Sequence, residues 1–467
     1  MTTDRTNRLR VLVVAGHEPW PLDHGGRLRL YNFVRHLADS ADVTLAIPDP
    51  PRHRNLFPSQ VRIVPMTGPS AATNSPSQRL PRADWMLRRV RGHFGTRPQY
   101  NAWLHRHARP ERFDVALCSG AAMGQYAAAL RIPVVWDAVD ELVLYTLRVA
   151  ETAQPRRRPA ALRAAFFQAL FERYVARRAA ATVFTSSVDA SYARRWVAPA
   201  RVAAISNGVD FDYFAPGEHP PEAGTVAFVG ALDFPPNVDG IVHFARGIWP
   251  AIYARGPNRR LLVVGRRPVA AVRELAAIPG VELVGGVPDV RPYLRRTTVV
   301  VVPTRTGGGV KNKVLEACAL ARPVVASPRA LAGLSARRGR DVLCADRTAS
   351  WVERVSSLLE HSDAAASLAA NGHRWVRRAH HWPALTSDLH RVLQSAARSL
   401  RSSAIRLSAR EHRTTTFTRA VAADSPATRI TRRSNALAEG NRRAAPPWAI
   451  ARNLDFTSRD NEEVRCR

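Results

Sequence analysis

Between Thr306 and Ser327 the chain reads TGGGVKNKVLEACALARPVVAS, a stretch whose residue types and spacing suit it to hold a charged ligand. Gly307, Gly308 and Gly309 carry no side chain, so backbone N–H groups there can come close to a phosphate. Lys311 and Lys313 follow at once. They are the only lysines among 69 Lys+Arg residues, so arginine supplies positive charge everywhere else. A compact ammonium is not equivalent to a planar guanidinium beside a crowded phosphate, which makes the two lysines read as chemistry rather than composition. Glu316 lies further along, placed for a ribose rather than for the phosphates.

These residues need a strand to deliver the glycines and a helix to present its N-terminus. TTVVVVPT (Thr297–Thr304) is the strand, and the following helix has Val314, Leu315, Cys318 and Ala319 on its apolar side. A second buried strand, PVVAS, completes a βαβ unit whose helix N-terminus can face an anion. The chain opens in a similar way. LRVLVVAG (Leu9–Gly16) is a continuous apolar run, as in a parallel strand covered on both faces. Pro19 and Pro21 exclude helix, Gly25 and Gly26 make a turn, and Leu30, Phe33, Val34 and Leu37 mark a helix from about Arg27 to Ala38. A glycine pair therefore sits between a strand's C-terminal end and a helix N-terminus, where doubly wound sheets take ligands. The spacing is not GxGxxG, so no ordinary dinucleotide fingerprint is read.

Further strands are expected at Asp42–Pro48, Val61–Pro65, Arg112–Gly120, Ile132–Val143, Ala181–Ser187 and from Val202, and in a second series at Thr225–Leu232, Arg260–Pro268, Val281–Val287 and Asp341–Arg347. The fold class is α/β, with two doubly wound domains at residues 1–215 and 216–396. Residues 397–467 are rich in arginine, lack apolar periodicity and are expected to be disordered. Residues 67–80 read as a surface loop, and 82–108 as basic and weakly helical. Asp137 and Asp140 end the Ile132–Val143 strand at the ligand edge of the sheet; a functional role and a helix cap or solvated loop are equally open. Residues 155–181 form an amphipathic helix on which Leu162, Phe166, Leu170, Tyr174 and Val175 are expected to face the core, while its arginines attract anionic lipid.

A chain of 467 residues has room for two or three full cores. A formal charge of +31 implies an anionic partner without naming it. No zinc-finger spacing, RRM signature or aromatic-interleaved basic run indicates specific nucleic-acid binding. No apolar run has the length of a membrane span, and the N-terminus has no secretory h-region. The four cysteines, Cys118, Cys318, Cys344 and Cys466, lack metal-ligand spacing and read as small hydrophobes in a reducing cytoplasm. The expected location is therefore cytoplasmic, with peripheral attachment at the inner face of the membrane as an extension of it.

Four motifs taken together resemble the GT-B glycosyltransferases, and within them the retaining GT4-like group acting in exopolysaccharide biosynthesis. They are P-x-P…HGGR (Pro19–Arg27), ISNGVDFDYFAP (Ile205–Pro216), FVGALDFPPNVDG (Phe228–Gly240) and GGGVKNKVLEACALARPVVAS. The resemblance spans roughly residues 9–395. It implies two Rossmann-like domains across a cleft, a nucleotide-sugar donor mainly on the second and a glycan or lipid-linked acceptor mainly on the first. It implies no cofactor and no metal, because helix N-termini and basic side chains hold the diphosphate. By position, Glu316 would hold the donor ribose. Gly308, Gly309 and Val310 would lie beside the diphosphate, with Lys313 or Lys311 supplying charge. Gly25 and Gly26 would reach the phosphate from across the cleft, and Asn207–Gly208 would form a structural turn near the hinge.

Two departures from the family pattern stand out. Gly308 occupies the position of the first of two glutamates, and Leu232–Asn237 replaces an Arg…Lys pair after the first strand of the second domain. Asn237 then falls in the donor site, and Lys313 is the candidate to stabilise the leaving diphosphate. A histidine common at the end of a first-domain strand is replaced by Ser119–Gly120. The implied reaction is hexosyl transfer with same-face attack, the leaving phosphate helping to take the acceptor proton and Asp137 or Asp140 orienting the hydroxyl. The rivals are a nucleotide-sugar epimerase on the same fold and a non-catalytic anion-binding protein.

Overall fold

The computed structural model describes residues 8–399 apart from 23, 67–89, 91–93, 96, 153–154 and 198–200. Two wholly parallel sheets organise them. The first contains β1 (Leu9–Ala15), β2 (Ala41–Ile47), β3 (Arg62–Pro65), β4 (Val115–Ser119), β5 (Val134–Val139), β6 (Ala181–Phe184) and β7 (Val202–Ala204), in the order β3-β2-β1-β4-β5-β6-β7. The second contains β8 (Glu222–Val229), β9 (Arg260–Val264), β10 (Val281–Gly285), β11 (Thr297–Val302), β12 (Val324–Ala326) and β13 (Leu343–Cys344), in the order β10-β9-β8-β11-β12-β13. Strand order reverses at β1/β4 in one and at β8/β11 in the other. Ligands of open parallel sheets bind at such switch points, beyond the strands' C-terminal ends.

The strands are apolar throughout because both faces are covered. Along β1, Leu12 and Val14 join one core with Ala116, Cys118 and Trp136. Val11, Val13 and Ala15 join another with Val43, Leu45 and Leu117. The second sheet repeats the arrangement: Val226, Phe228, Val299 and Val301 lie on one side, Ala227, Val229, Val300 and Val302 on the other. Cys118 and Cys318 are buried free thiols, as expected of small hydrophobes, whereas Cys344 is disulfide-bonded and not the reduced residue expected.

Two findings differ from the sequence reading. Residues 382–399 are helical, and their apolar face (Trp382, Leu385, Leu389, Leu393, Ala396) belongs to the core of the first sheet, not the second. Trp382 meets Phe33 edge to face at 5.6 Å. It is admitted by Gly208, where a Cβ would lie 2.7 Å from the indole. The chain thus returns to its first lobe, and the tail begins after residue 399; the expected disorder of that tail lies outside the described residues from 400 on. The helix Arg158–Ala176 is also turned from the expected face. It buries Ala165, Gln168, Phe171, Glu172 and Val175, and leaves Leu162 54% and Phe166 56% exposed. The surface loop expected at 67–80 lies outside the described residues, as does most of 82–97; Pro98–His107 is helical.

Candidate active site

Residues that follow β1, β5, β8, β9 and β11 line one cleft of about 700 Å³. Two helix N-termini meet there. The helix Gly25–Leu37 follows β1; His24 caps it by accepting from the Arg27 N–H at 3.3 Å. The helix Asn312–Ala319 follows β11 and has no side-chain cap. Neither has an acidic residue in its first turn, so nothing neutralises the positive ends of their dipoles. A Cβ on Gly25 would stand only 3.4 Å from Asn312 Nδ2, and Asn207 Nδ2 donates to Asn312 Oδ1 at 2.9 Å. Asn207 therefore does more than form a turn: it links the lobes.

Lys313 lies at the base of the cleft. Its ammonium donates to Asn237 Oδ1 at 2.8 Å and sits 4.4 Å from the centre of the Phe228 ring. Asn237 is braced in turn by donating to the Ala231 carbonyl at 2.9 Å. Gly230 makes room for this pair, since a Cβ there would fall 2.6 Å from Lys313 Nζ. Burial pushes the Lys313 ammonium down to about 7, against the pull of Glu316. Burial pushes the Glu316 carboxyl up to about 7, against Lys313. The two groups line the same cleft, with no hydrogen bond or ion pair between them among the described residues.

The remaining sequence candidates fall in three places. Gly26, Gly308, Val310 and Lys311 line the same cleft. Lys311 folds back to donate to the Gly309 carbonyl at 3.1 Å and to the Gly308 carbonyl, shaping the loop. Gly309 has φ +70° and lies against Asp140 from the other lobe; a Cβ there would be 2.1 Å from Asp140 Oδ1. Asp140 accepts from Thr185 Oγ1 at 3.1 Å and lines the cleft. Asp137 does not. It is wholly buried and paired with Arg29, whose Nη2 lies 2.9 Å from Oδ1 and whose Nε reaches Oδ2 at 3.0 Å. Arg29 also donates to the carbonyls of Ile205 and Ser206 and to Asn207 Oδ1. Asp137 thus belongs to a structural ion pair and cannot touch a ligand in the cleft.

Arg266, Arg267, His24 and Asn312 also line the cleft and were not singled out from sequence. A signal existed for the arginines, which follow β9 and Gly265 at the ligand edge of the sheet. Arg267 pairs with Asp233 at 2.6 Å. A second cavity of about 590 Å³ shares Leu28, Gly230, Arg266 and Glu316 with the first and is walled by Val209, Phe214, Val287 and Val290. On the first lobe a polar pocket of about 360 Å³ lies beyond β1 and β2, lined by Glu18, Arg27, Arg52 and Arg97 among others. Among the described residues no group of three or more His, Cys, Asp or Glu side chains is arranged to hold a metal.

Comparison with known proteins fits this geometry. Residues 24–208 match the model of a glycosyl transferase 4-like domain, and residues 223–361 that of glycosyl transferases group 1. Among solved structures, the chain is similar to the sucrose-phosphate synthase of Thermosynechococcus elongatus (18% identity, 83% of this chain and 99% of that one, TM-score 0.61). It is also similar to HepE of Anabaena, solved in complex with UDP (15%, 83% and 100%, TM-score 0.57), and to WaaG, a glycosyltransferase involved in lipopolysaccharide biosynthesis (14%, 82% and 99%, TM-score 0.55). At these identities the likeness is one of fold. No curated protein matches. One glycosyl transferase domain on each sheet, in this order and with this fold, places the chain among the glycosyltransferases of GT-B architecture.

Proposed function

We propose that the chain transfers a hexosyl group from a nucleoside-diphosphate sugar to an acceptor hydroxyl, with retention of configuration. The observation that carries this reading is Lys313, half-buried and hydrogen-bonded to Asn237 rather than to a carboxylate, beneath two facing helix N-termini. The base and ribose occupy the more apolar cavity, with Glu316 accepting from the ribose hydroxyls. The diphosphate lies between the N–H groups at Gly25–Gly26 and those at Asn312–Lys313. As the glycosidic bond breaks, charge grows on the leaving phosphate where these donors already point. The sugar then lies toward Gly308, Val310 and Asp140. Asp140 orients the acceptor hydroxyl, which attacks on the face the diphosphate leaves and passes its proton to the departing phosphate. The acceptor enters over the first lobe. Backbone N–H groups and cationic side chains take the role that a divalent ion would otherwise fill.

Calorimetric titration with UDP, GDP and ADP in EDTA tests the donor site. One nucleotide is expected to bind at micromolar strength in wild type and to lose that affinity in Glu316→Ala. If none binds, the donor reading fails and a non-catalytic role takes its place.

A role in exopolysaccharide or cell-surface polysaccharide assembly, with a lipid-linked acceptor, is supported by the motif resemblance and by the fold shared with WaaG. Attachment to an anionic membrane surface is supported by Leu162 and Phe166, exposed one turn apart beside the exposed Arg156, Arg157, Arg158 and Arg163. No helix among the described residues is long and apolar enough to cross a membrane. Co-sedimentation with phosphatidylglycerol vesicles is expected for wild type and is expected to weaken sharply in Phe166→Glu. Equal sedimentation of the two proteins contradicts this use of the helix.

A further inference from the structure

At the end of the cleft away from Glu316, the Gly308 position points at the first lobe. A Cβ on Gly308 would stand 3.8 Å from Arg148 Nη1 and 3.8 Å from the Tyr145 side chain. Arg148 belongs to the helix Leu142–Thr152. The first turn of that helix is fixed by Glu172, which accepts from the Leu142 N–H at 3.0 Å, and by Glu141, which accepts from the Leu144 N–H. Arg148 is half-buried, yet it makes no hydrogen bond or ion pair among the described residues. Arg329, on the short helix Pro328–Leu331 of the second lobe, is in the same condition. Burial, followed by the charge of Arg329, lowers the pKa of Arg148. Both arginines also act on Lys311, whose ammonium is lowered mainly by burial.

Three cations therefore converge on the Gly308–Lys311 loop. The carboxylates that act on them are Asp140 and Asp189 on Lys311, and Asp189, Glu151 and Glu141 on Arg148. Asp140 is already engaged by Thr185. Asp189 is raised to about 6 by burial and then by Asp140, and its Oδ2 has no hydrogen-bond partner. This leaves the guanidinium donors of Arg148 and Arg329 unused, in a place where desolvating an unpaired charge is unfavourable. A planar guanidinium takes up a carboxylate or phosphate by two parallel hydrogen bonds.

We infer that this end of the cleft takes an anionic group between Arg148 and Lys311. Its chemistry is that of a carboxylate or phosphate next to the reacting centre. It arrives as the C6 carboxylate of a hexuronosyl donor, or on the acceptor beside the attacking hydroxyl. The inference rests on the donor orientation proposed above, with the sugar toward Gly308.

The test uses the full chain in EDTA and titrates nucleotide sugars differing only at C6: UDP-glucose against UDP-glucuronate, and GDP-mannose against GDP-mannuronate. A donor-borne group predicts that the uronate binds about tenfold or more tightly than its neutral counterpart, as a charge-assisted pair implies. Arg148→Gln then abolishes the difference and leaves affinity for the nucleoside diphosphate unchanged. An acceptor-borne group predicts no such difference between donors. Instead, glucose 6-phosphate or glucuronate binds the nucleotide-saturated protein and fails to bind Arg148→Gln. Arg329→Gln repeats either loss and guards against local collapse in the first variant. Normal nucleoside-diphosphate binding with no Arg148-dependent preference in either arm overturns this inference alone. Absence of any nucleotide binding overturns the donor reading, and this inference with it.

Discussion

Lys313→Ala is expected to lower turnover by about 100-fold or more, the effect of deleting one preorganised donor to transition-state charge. The expectation follows from where the lysine stands. Its ammonium is held by Asn237 and the Phe228 ring rather than by a carboxylate, so no ion pair already occupies it. No second lysine takes over there, because the Lys311 ammonium is held on the Gly308–Gly309 loop by two carbonyls. The variant should fold normally, since a buried ammonium pushed down to about 7 is held at a cost to the fold. Thermal melting should therefore show Lys313→Ala no less stable than wild type while steady-state turnover collapses. Near wild-type turnover of a bound donor removes Lys313 from the chemistry.

The opposite pattern is expected for Asp137→Ala, which should lose about 3–5 kcal/mol of stability. Asp137 and Arg29 are both fully buried, and removing the carboxylate leaves the guanidinium uncompensated inside the first lobe. Arg29 also holds the Ile205–Asn207 segment, so the damage extends to the link between the lobes. Chemical denaturation measures the loss directly. If Asp137→Ala melts like wild type but loses turnover at constant nucleotide affinity, Asp137 is a catalytic group after all and the ion pair is secondary.

Asp137 and Asp140 show what a linear reading can and cannot reach. Both end a strand at the ligand edge, and that much is legible from IPVVWDAVDELV. What separates them is a bulge between Asp137 and Val139 in the pairing with β6, and Val139 at φ 72°, a conformation a β-branched residue rarely adopts. That kink turns Asp140 into the cleft while Asp137 stays in the core, and no local residue pattern announces it. The strands and the Gly307–Gly309 loop were legible because continuous apolar runs and glycines have few other uses, whereas Gly25 and Gly26 are not a turn before the helix but its first two residues, capped by His24. The face of the Arg158–Ala176 helix was not. Its polar Gln168 and Glu172 are buried because Gln168 donates to Glu172 and Glu172 caps the Leu142–Thr152 helix, a partner far away in sequence. The return of residues 382–399 to the first lobe depends likewise on a tryptophan fitting over Gly208, more than 170 residues earlier. Arg266 and Arg267 follow Gly265 directly in RLLVVGRRP, at the ligand edge of the sheet, so their place in the cleft is legible in the sequence.

A diphosphate seated on Lys313 is revealed by counting the protons bound when the nucleotide binds at pH 8. Calorimetry in buffers of different ionisation enthalpy gives that number. With its pKa depressed to about 7, the free lysine is mostly neutral at pH 8. A bound diphosphate raises that pKa, so binding takes up a proton. Affinity should then fall as pH rises through 7, by about tenfold per unit at most for a single proton. Uptake of about one proton per nucleotide is expected in wild type and none in Lys313→Ala. Nucleotide binding with no proton uptake in wild type would contradict it, and would mean that the diphosphate lies elsewhere.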